Sequence, residues 1–167
     1  MGWPSAIARV NSIYPHFTFP QDQWVFLTEQ DHAVMEYPVM QGVQPGQRCA
    51  FQAYLPARLE LKDKLLTIER DDGISQIPEI RLTPLSPSTV ELNRLTWQTR
   101  PTPTTEAPIA LLAAFGQNQT TGSFPCPLGN SLRVEAMCIG GGCRVEYDAS
   151  MRLLDSAPLL GIQLVIV

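Results

Sequence analysis

The sequence is poor in charge, and lysine is its scarcest cation. Charged residues make up 17% of the 167 residues, against about 25% in an average soluble protein. Two of the twelve cationic residues are lysines, and the net charge is −4 with a pI near 5.1. Nucleic-acid binding needs clustered Lys and Arg that neutralise phosphates. The sequence has no basic stripe and therefore predicts no nucleic-acid partner.

Long apolar runs are also missing. No stretch reaches the roughly 18 apolar residues of a membrane-spanning helix, so no membrane partner is predicted. The first residues, MGWPSAIARVNSIYP, lack the basic start and apolar run of a secretion signal. We therefore expect a soluble protein in the cytoplasm or in a virion particle. On that basis the glycosylation sequon Asn118-Gln119-Thr120 is expected to have no consequence.

Recognisable catalytic motifs are missing as well. The sequence contains no G-x-S-x-G, H-E-x-x-H or Walker-type loop. The two histidines, His16 and His32, are expected to be exposed polar residues of turns. We therefore predict no enzyme activity, no catalytic residues and no cofactor.

The cysteines do not have the spacing of a metal site. No C-x2-C pair occurs among Cys49, Cys126, Cys138 and Cys143, so no bound metal is predicted. Cys138 and Cys143 bracket a glycine turn, and directly opposed strand positions have the separation that a disulfide requires. A disulfide between these two is one expectation. In a cytoplasmic protein the favoured alternative is two reduced thiols packed as small apolar groups.

The sequence does contain a clear strand pattern between residues 131 and 154. Apolar residues occupy every second position on both sides of the segment 139–142, Ile-Gly-Gly-Gly, and continue through Met151 and Leu153. A period of two is typical of strands, and glycines tolerate the positive φ of a tight reversal. The pattern predicts a β-hairpin with one apolar face.

Strand-like patterns recur through the rest of the chain. They cover residues 24–27, 33–39, 48–55, 80–82 and 90–97. The closing stretch from Leu159 is apolar to its last residue and is expected to lie inside a sheet or to pair with another chain.

Two short helices are also expected. Trp3, Ile7, Val10 and Tyr14 fall at helical spacing near the N-terminus. Residues 109–115 are rich in Ala and Leu, and Ala is a good helix former and a poor strand former. The first helix would form an N-terminal arm and the second would span two turns.

These patterns predict a mainly β fold. The expected architecture is a single antiparallel β-sandwich or barrel-like domain with a short N-terminal helix. Residues 1–167 would form one β-rich domain, in which 1–20 are the N-terminal helix or arm and 101–108 and 117–130 are long loops.

The sequence favours a structural or interaction protein that acts as a subunit of a larger assembly. A thinly charged surface and long Pro/Thr/Gln-rich loops favour contact with protein partners, in a homo-oligomer or a hetero-assembly. The concrete form expected is a phage virion component, such as a decoration, neck, tail or baseplate protein. The expected interface residues are Trp3, Ile7, Val10, Tyr14, Ile162, Leu164 and Ile166.

An alternative of a different class is a β-barrel that binds a hydrophobic small molecule. About eight strands could be drawn through the apolar segments, which is enough to enclose one small ligand. Trp24, Tyr54 and Trp97 would line such a site.

Overall fold

Antiparallel strands make up most of the regular structure. The structure is a computed structural model that describes residues 2–71, 73, 76–140, 142–150 and 158–167. Its strands are β1 (Ala6–Asn11), β2 (Trp24–Leu27), β3 (Asp31–Tyr37), β4 (Arg48–Leu55), β5 (Leu66–Glu69), β6 (Glu79–Pro84), β7 (Ile109–Leu112), β8 (Gln117–Thr120), β9 (Phe124–Pro125), β10 (Leu132–Ile139), β11 (Arg144–Asp148) and β12 (Gly161–Ile166). Further 3₁₀ turns lie at Arg58–Glu60 and Leu92–Arg94. No helix in the described part of the chain has the length and hydropathy needed to cross a membrane.

The strands form three antiparallel sheets. The five-stranded sheet has the order β1-β3-β10-β6-β7, the three-stranded sheet β2-β11-β5, and the four-stranded sheet β12-β4-β8, with β9 also paired to β4. The prediction of a mainly antiparallel β fold is therefore confirmed.

One large apolar cluster draws side chains from all three sheets. Met35 and Ile80 come from the five-stranded sheet, Val145 from the three-stranded sheet, and Phe51 and Ile162 from the four-stranded sheet. Each of these side chains is at most 1% exposed. Removing so much apolar surface from water is the main force that holds the sheets together.

A second apolar cluster lies on the other face of the five-stranded sheet. Residues 85–100, which we call the cover segment, pack Leu95 in one cluster with Val10 and Val34. Ile7, three residues before Val10 in β1, belongs instead to the large cluster. The strand β1 is therefore buried on both faces.

The predictions of two short helices are wrong. Residues 6–11 form β1, which pairs with β3 in register from Ala6 with Glu36 to Asn11 with Asp31. The helix-like spacing arises because a strand buried on both faces carries apolar residues without alternation. In residues 109–115, the first four form β7, which pairs with β6 at the edge of the sheet.

The predicted hairpin is wrong as well, although both of its strands exist. β10 lies between β3 and β6, whereas β11 lies between β2 and β5 in a different sheet. The Cys143 N–H donates to the Gly140 carbonyl at 2.9 Å, so the glycine turn leads the chain from one sheet to another. The expected continuation through Met151 and Leu153 lies outside the described residues.

The predictions for the remaining segments are partly confirmed and partly wrong. The closing stretch joins a sheet through β12, which pairs with β4 along its whole length, but β12 is an end strand of that sheet and not an inner one. Residues 90–97 form no strand and belong to the cover segment, with a 3₁₀ turn at Leu92–Arg94. The expected loop 117–130 contains β8 and β9, whereas 101–108 contains no named strand.

Candidate protein-interaction surface

The loop between β1 and β2 exposes large apolar side chains. We call residues 12–20, SIYPHFTFP, the aromatic loop. Ile13 is 64% exposed, Tyr14 61% and Phe17 55%. Single exposed apolar residues are common on proteins, whereas contiguous exposed apolar patches often lie at interaction sites.

A buried asparagine holds the start of the aromatic loop. The Asn11 Oδ1 accepts hydrogen bonds from the N–H groups of Ile13 at 2.8 Å and Tyr14 at 3.2 Å, and the Asn11 Nδ2 donates to Asp31 Oδ1 at 2.8 Å. Asn at this position favours such turns, because its short side chain bonds the backbone two and three residues on. The exposed residues are therefore fixed to the sheet.

The cover segment holds the middle of the aromatic loop. The Gln98 N–H donates to the Pro15 carbonyl at 3.0 Å. Within the loop, the Phe17 N–H donates to the Tyr14 carbonyl at 3.0 Å. Contacts from two separate parts of the chain thus restrict the backbone that carries Tyr14 and Phe17.

A row of aromatic and arginine side chains, which are partly buried beyond Phe17, extends from the aromatic loop. Phe17 meets Phe19 edge-on, with ring centroids 4.8 Å apart. The Arg9 guanidinium lies 4.5 Å from the ring centroids of both Phe19 and Phe26, and the Arg144 guanidinium lies 5.3 Å from that of Phe26. We call these five residues the aromatic–arginine row. Aromatic residues and Arg dominate the binding energy of protein interfaces.

Carboxylates fix both guanidinium groups of the row. Arg9 contacts Asp31 Oδ1 through Nη2 at 2.6 Å and Nε at 2.8 Å. Arg144 donates from Nη2 to Glu146 Oε2 at 2.5 Å, and the other Glu146 oxygen accepts from the indole N–H of Trp24 at 2.7 Å. The hydrogen bond that Arg144 donates to Glu146 raises the pKa of Arg144, so its charge is permanent at physiological pH.

A buried polar cluster anchors the cover segment to the sheet. The His32 Nδ1 lies 2.5 Å from Glu135 Oε1, and Arg100 Nε donates to the same oxygen at 3.1 Å. The Arg100 guanidinium stacks 3.5 Å from the ring centroid of Trp97. His32 and Glu135 are only 4% and 7% exposed, so their pairing is required, because a buried polar group without a partner is costly.

The two histidines therefore differ from each other. His16 is exposed in the aromatic loop, as expected. The prediction of an exposed turn is wrong for His32, which lies within β3 and is buried under the cover segment. Its neighbour Asp31 bonds Arg9 and Asn11 instead of His32, since successive strand residues point to opposite faces.

The surface offers non-covalent contacts. Its carboxylates are engaged by arginine, asparagine or indole donors, and among the described residues the His32–Glu135 pair bonds no hydroxyl or thiol. In the described ranges no group of three or more His, Cys, Asp or Glu residues is arranged to hold a metal ion.

The interface residues expected from the sequence do not form one surface. Four of them are at most 1% exposed: Ile7, Val10, Ile162 and Leu164. These four lie in paired strands and present almost no area to a partner. Tyr14 and Ile166 are exposed, whereas Trp3 is partly buried with its ring 6.0 Å from that of Tyr54. An interface role stays a prediction for these three.

The sequence interpretation missed most of the aromatic–arginine row. Arg9, Phe26 and Arg144 come from three strands, β1, β2 and β11, so no local pattern unites them. The loop residues did carry a signal. Between Asn11 and Pro20 the chain has three aromatic residues and no strand alternation, which a core strand does not explain.

The structure pairs all four cysteines. Cys49 is joined to Cys126 with Cα atoms 4.9 Å apart, and Cys138 to Cys143 with Cα atoms 5.7 Å apart. The first pair ties β4 to the residue after β9, and the second spans the turn between β10 and β11. The oxidation state of these thiols in solution stays a prediction.

The three side chains proposed to line a ligand cavity are not brought together. The Trp24 indole bonds Glu146, the Tyr54 ring lies beside Trp3, and the Trp97 ring lies 4.7 Å from that of His32. Each belongs to a different part of the fold.

A comparison with protein families identifies the domain type. A profile described as "Ubiquitin 3 binding protein But2 C-terminal domain" matches residues 2–150, which is most of the chain. The chain belongs to the But2 C-terminal domain family. The matched range contains the whole aromatic loop and the whole aromatic–arginine row. No curated protein gives a match to this But2-family chain.

Family membership corrects the functional prediction made from the sequence. The assignment to a phage virion component is wrong. The description of the But2 family names a protein-binding protein and no virion subunit. The alternative of a hydrophobic-ligand carrier does not hold either, since the family description and the separation of Trp24, Tyr54 and Trp97 both oppose it.

Proposed function

We propose that this But2 C-terminal domain is a protein-binding module that contacts its partner through the aromatic loop and the aromatic–arginine row. Family membership carries the proposal, since But2 itself is described as a ubiquitin 3 binding protein. From this membership we infer that the chain also binds a protein partner.

The way in which the surface is held supports the proposal. Association costs free energy when side chains and loops must be ordered on binding. Here Asn11 and Gln98 already bond the loop backbone, and Asp31 already orients Arg9. Rigid aromatic side chains then supply contact area at a low entropic cost.

We also infer that the chain works as one domain without catalytic activity. The large cluster shared by the three sheets supports a single sandwich-like unit. The His32–Glu135 pair is enclosed by the cover segment, which supports a structural role for the one histidine that has a carboxylate partner.

Site-specific photo-crosslinking tests the proposed surface. A benzophenone amino acid is placed at Phe17 in one variant and at Leu59 in another, which is 98% exposed but lies outside the surface. We expect the Phe17 probe to capture one protein from the cells of the source organism, and the Leu59 probe not to capture it. The captured protein is then titrated against the purified chain.

The titration decides the proposal. Phe17→Ser should weaken the affinity at least about tenfold, or about 1.4 kcal/mol, whereas Leu59→Ser should leave it unchanged. Ubiquitin is titrated in parallel, because the family description names it, and sedimentation of the chain alone tests self-association. Equal affinities of both serine variants for the captured protein would show that the aromatic loop is not the binding surface.

A further inference from the structure

The sequon Asn118-Gln119-Thr120 lies on an exposed strand. β8 is an end strand of the four-stranded sheet and pairs with β4, and no other strand of the described residues pairs with it. Asn118 and Thr120 are exposed, whereas Gln117 and Gln119 between them are partly buried. The other three asparagines of the sequence, at positions 11, 93 and 130, do not have Ser or Thr two residues on. Only one position in the chain therefore has the sequence required for N-linked glycosylation.

The Asn118 side chain is available for modification. Its amide makes no hydrogen bond with any of the described residues, whereas the amide of Asn11 makes three. Asn118 is the register partner of Tyr54, so both side chains lie on the same face of the sheet. Beside them is an open hollow of about 270 Å³, which is also lined by Pro56, Glu60 and Leu159. A sugar attached to the amide has room to lie against Tyr54 without displacing a core residue.

The cysteine pairing bears on the compartment in which the chain folds. The structure pairs Cys49 with Cys126 and Cys138 with Cys143, and we expect both pairs to be oxidised. Protein disulfides persist in oxidising compartments and are rare in the cytosol. This pairing favours the secretory route, the route on which sequons are modified, over the cytoplasmic location expected from the sequence.

We propose that Asn118 carries an N-linked glycan. In the reaction the Asn118 Nδ2 attacks the anomeric carbon of a lipid-pyrophosphate-linked oligosaccharide. A C–N bond forms, the bond from that carbon to the pyrophosphate oxygen breaks, the lipid pyrophosphate leaves, and the amide loses one proton to a base of the transferase. The inference does not depend on the proposed protein-binding function, because β8 contributes no residue to the aromatic–arginine row.

Mass spectrometry of the chain purified from its own organism tests the site. We expect the peptide that contains Asn118 to carry a hexose- and N-acetylhexosamine-containing mass, which peptide-N-glycosidase removes to leave an aspartate at that position. Asn118→Gln and Thr120→Ala should each abolish the modification, and Thr120→Ser should retain it. Both changed positions are exposed, so the fold should tolerate all three substitutions, which circular dichroism verifies.

Two results would overturn the proposal. One is a native chain in which Asn118 is unmodified in nearly all molecules. The other is a sugar mass that persists in Thr120→Ala, which would place the modification at a different residue. Either result leaves the photo-crosslinking test of the protein-binding surface unaffected, so the two proposals fail separately.

Discussion

The guanidinium of Arg9 lies 4.5 Å from the ring centroid of Phe26, and this contact joins β1 to the neighbouring sheet. The same guanidinium stacks on Phe19 and bonds Asp31 through two nitrogens. One planar cation thus holds the aromatic loop, β2 and β3 at once, which explains why the exposed aromatic residues keep a defined arrangement.

Replacing Arg9 with lysine should loosen this arrangement. An ammonium group cannot stack on two rings while it bonds a carboxylate through two nitrogens. We expect Arg9→Lys to lower the free energy of unfolding by about 1 kcal/mol, measured by urea denaturation. Arg81→Lys, at an exposed position on β6, serves as the control. Equal losses in both variants would contradict the bridging role of Arg9.

Asn11 should be required for the order of the aromatic loop. Asn11→Ala removes three hydrogen bonds at a site that is 5% exposed. We expect a loss of about 2 kcal/mol in stability and faster amide hydrogen exchange at Ile13 and Tyr14. The exposed Asn93→Ala should change stability by less than about 0.5 kcal/mol. Unchanged exchange in the loop would show that Asn11 does not hold it.

Glu135 should contribute far more to stability than a surface carboxylate. Glu135→Leu leaves His32 and Arg100 without their shared acceptor, and breaking such a buried pair costs about 3 kcal/mol. The comparison is Glu91→Leu, which breaks the exposed 3.7 Å contact with Arg94 and should cost less than about 1 kcal/mol. Chemical denaturation of both variants measures the difference, and similar costs would exclude a bracing role for the buried cluster.

Lys64 should make the free energy of unfolding depend on pH in the alkaline range. Its side chain is only 3% exposed, and burial lowers the pKa of Lys64 below the ordinary 10.5, with Asp63 partly opposing this. Between the folded-state pKa and 10.5 the unfolded chain binds more protons, so the free energy of unfolding rises with pH in that window.

The variant Lys64→Met isolates this effect. Because the variant has no charge to bury, its stability advantage over the unmodified chain should be largest at neutral pH and shrink as the pH approaches 10.5. Lys62→Met, at an exposed position, serves as the control. Denaturation curves at several pH values test the prediction, and an advantage that stays constant for Lys64→Met would contradict it.

The two cysteine pairs should differ in their contribution to stability. Cys49 and Cys126 close a loop with a separation of 77 residues, for which chain entropy gives about 4.5 kcal/mol. Cys138 and Cys143 are separated by 5 residues, for which the same relation gives about 2 kcal/mol. Double alanine variants of each pair, unfolded in urea without reductant, should reproduce this order. A reversed order, or free thiols detected in the purified chain, would contradict it.

Several strands could be recognised from the sequence. β2, β3, β4 and β10 lie within or beside the segments 24–27, 33–39, 48–55 and 131–139, where strand-like patterns are present. Each needs local information only, either the alternation of side chains between two faces or a high content of branched and aromatic residues. Strands buried on both faces lose this alternation. For this reason β1 resembles a helix in its spacing.

The chain by itself determined its low charge, its strand-rich character and the position of its glycine turn, because these follow from composition and from contacts between near neighbours. Only the tertiary structure decided that β10 and β11 join different sheets, that the cover segment buries His32, and that Phe17, Phe19, Arg9, Phe26 and Arg144 form one row. The physical reason is that strand pairing and burial of a second face depend on residues far away along the chain. A sequence pattern indicates which side chains are buried away from water, whereas the tertiary fold determines which neighbours they pack against.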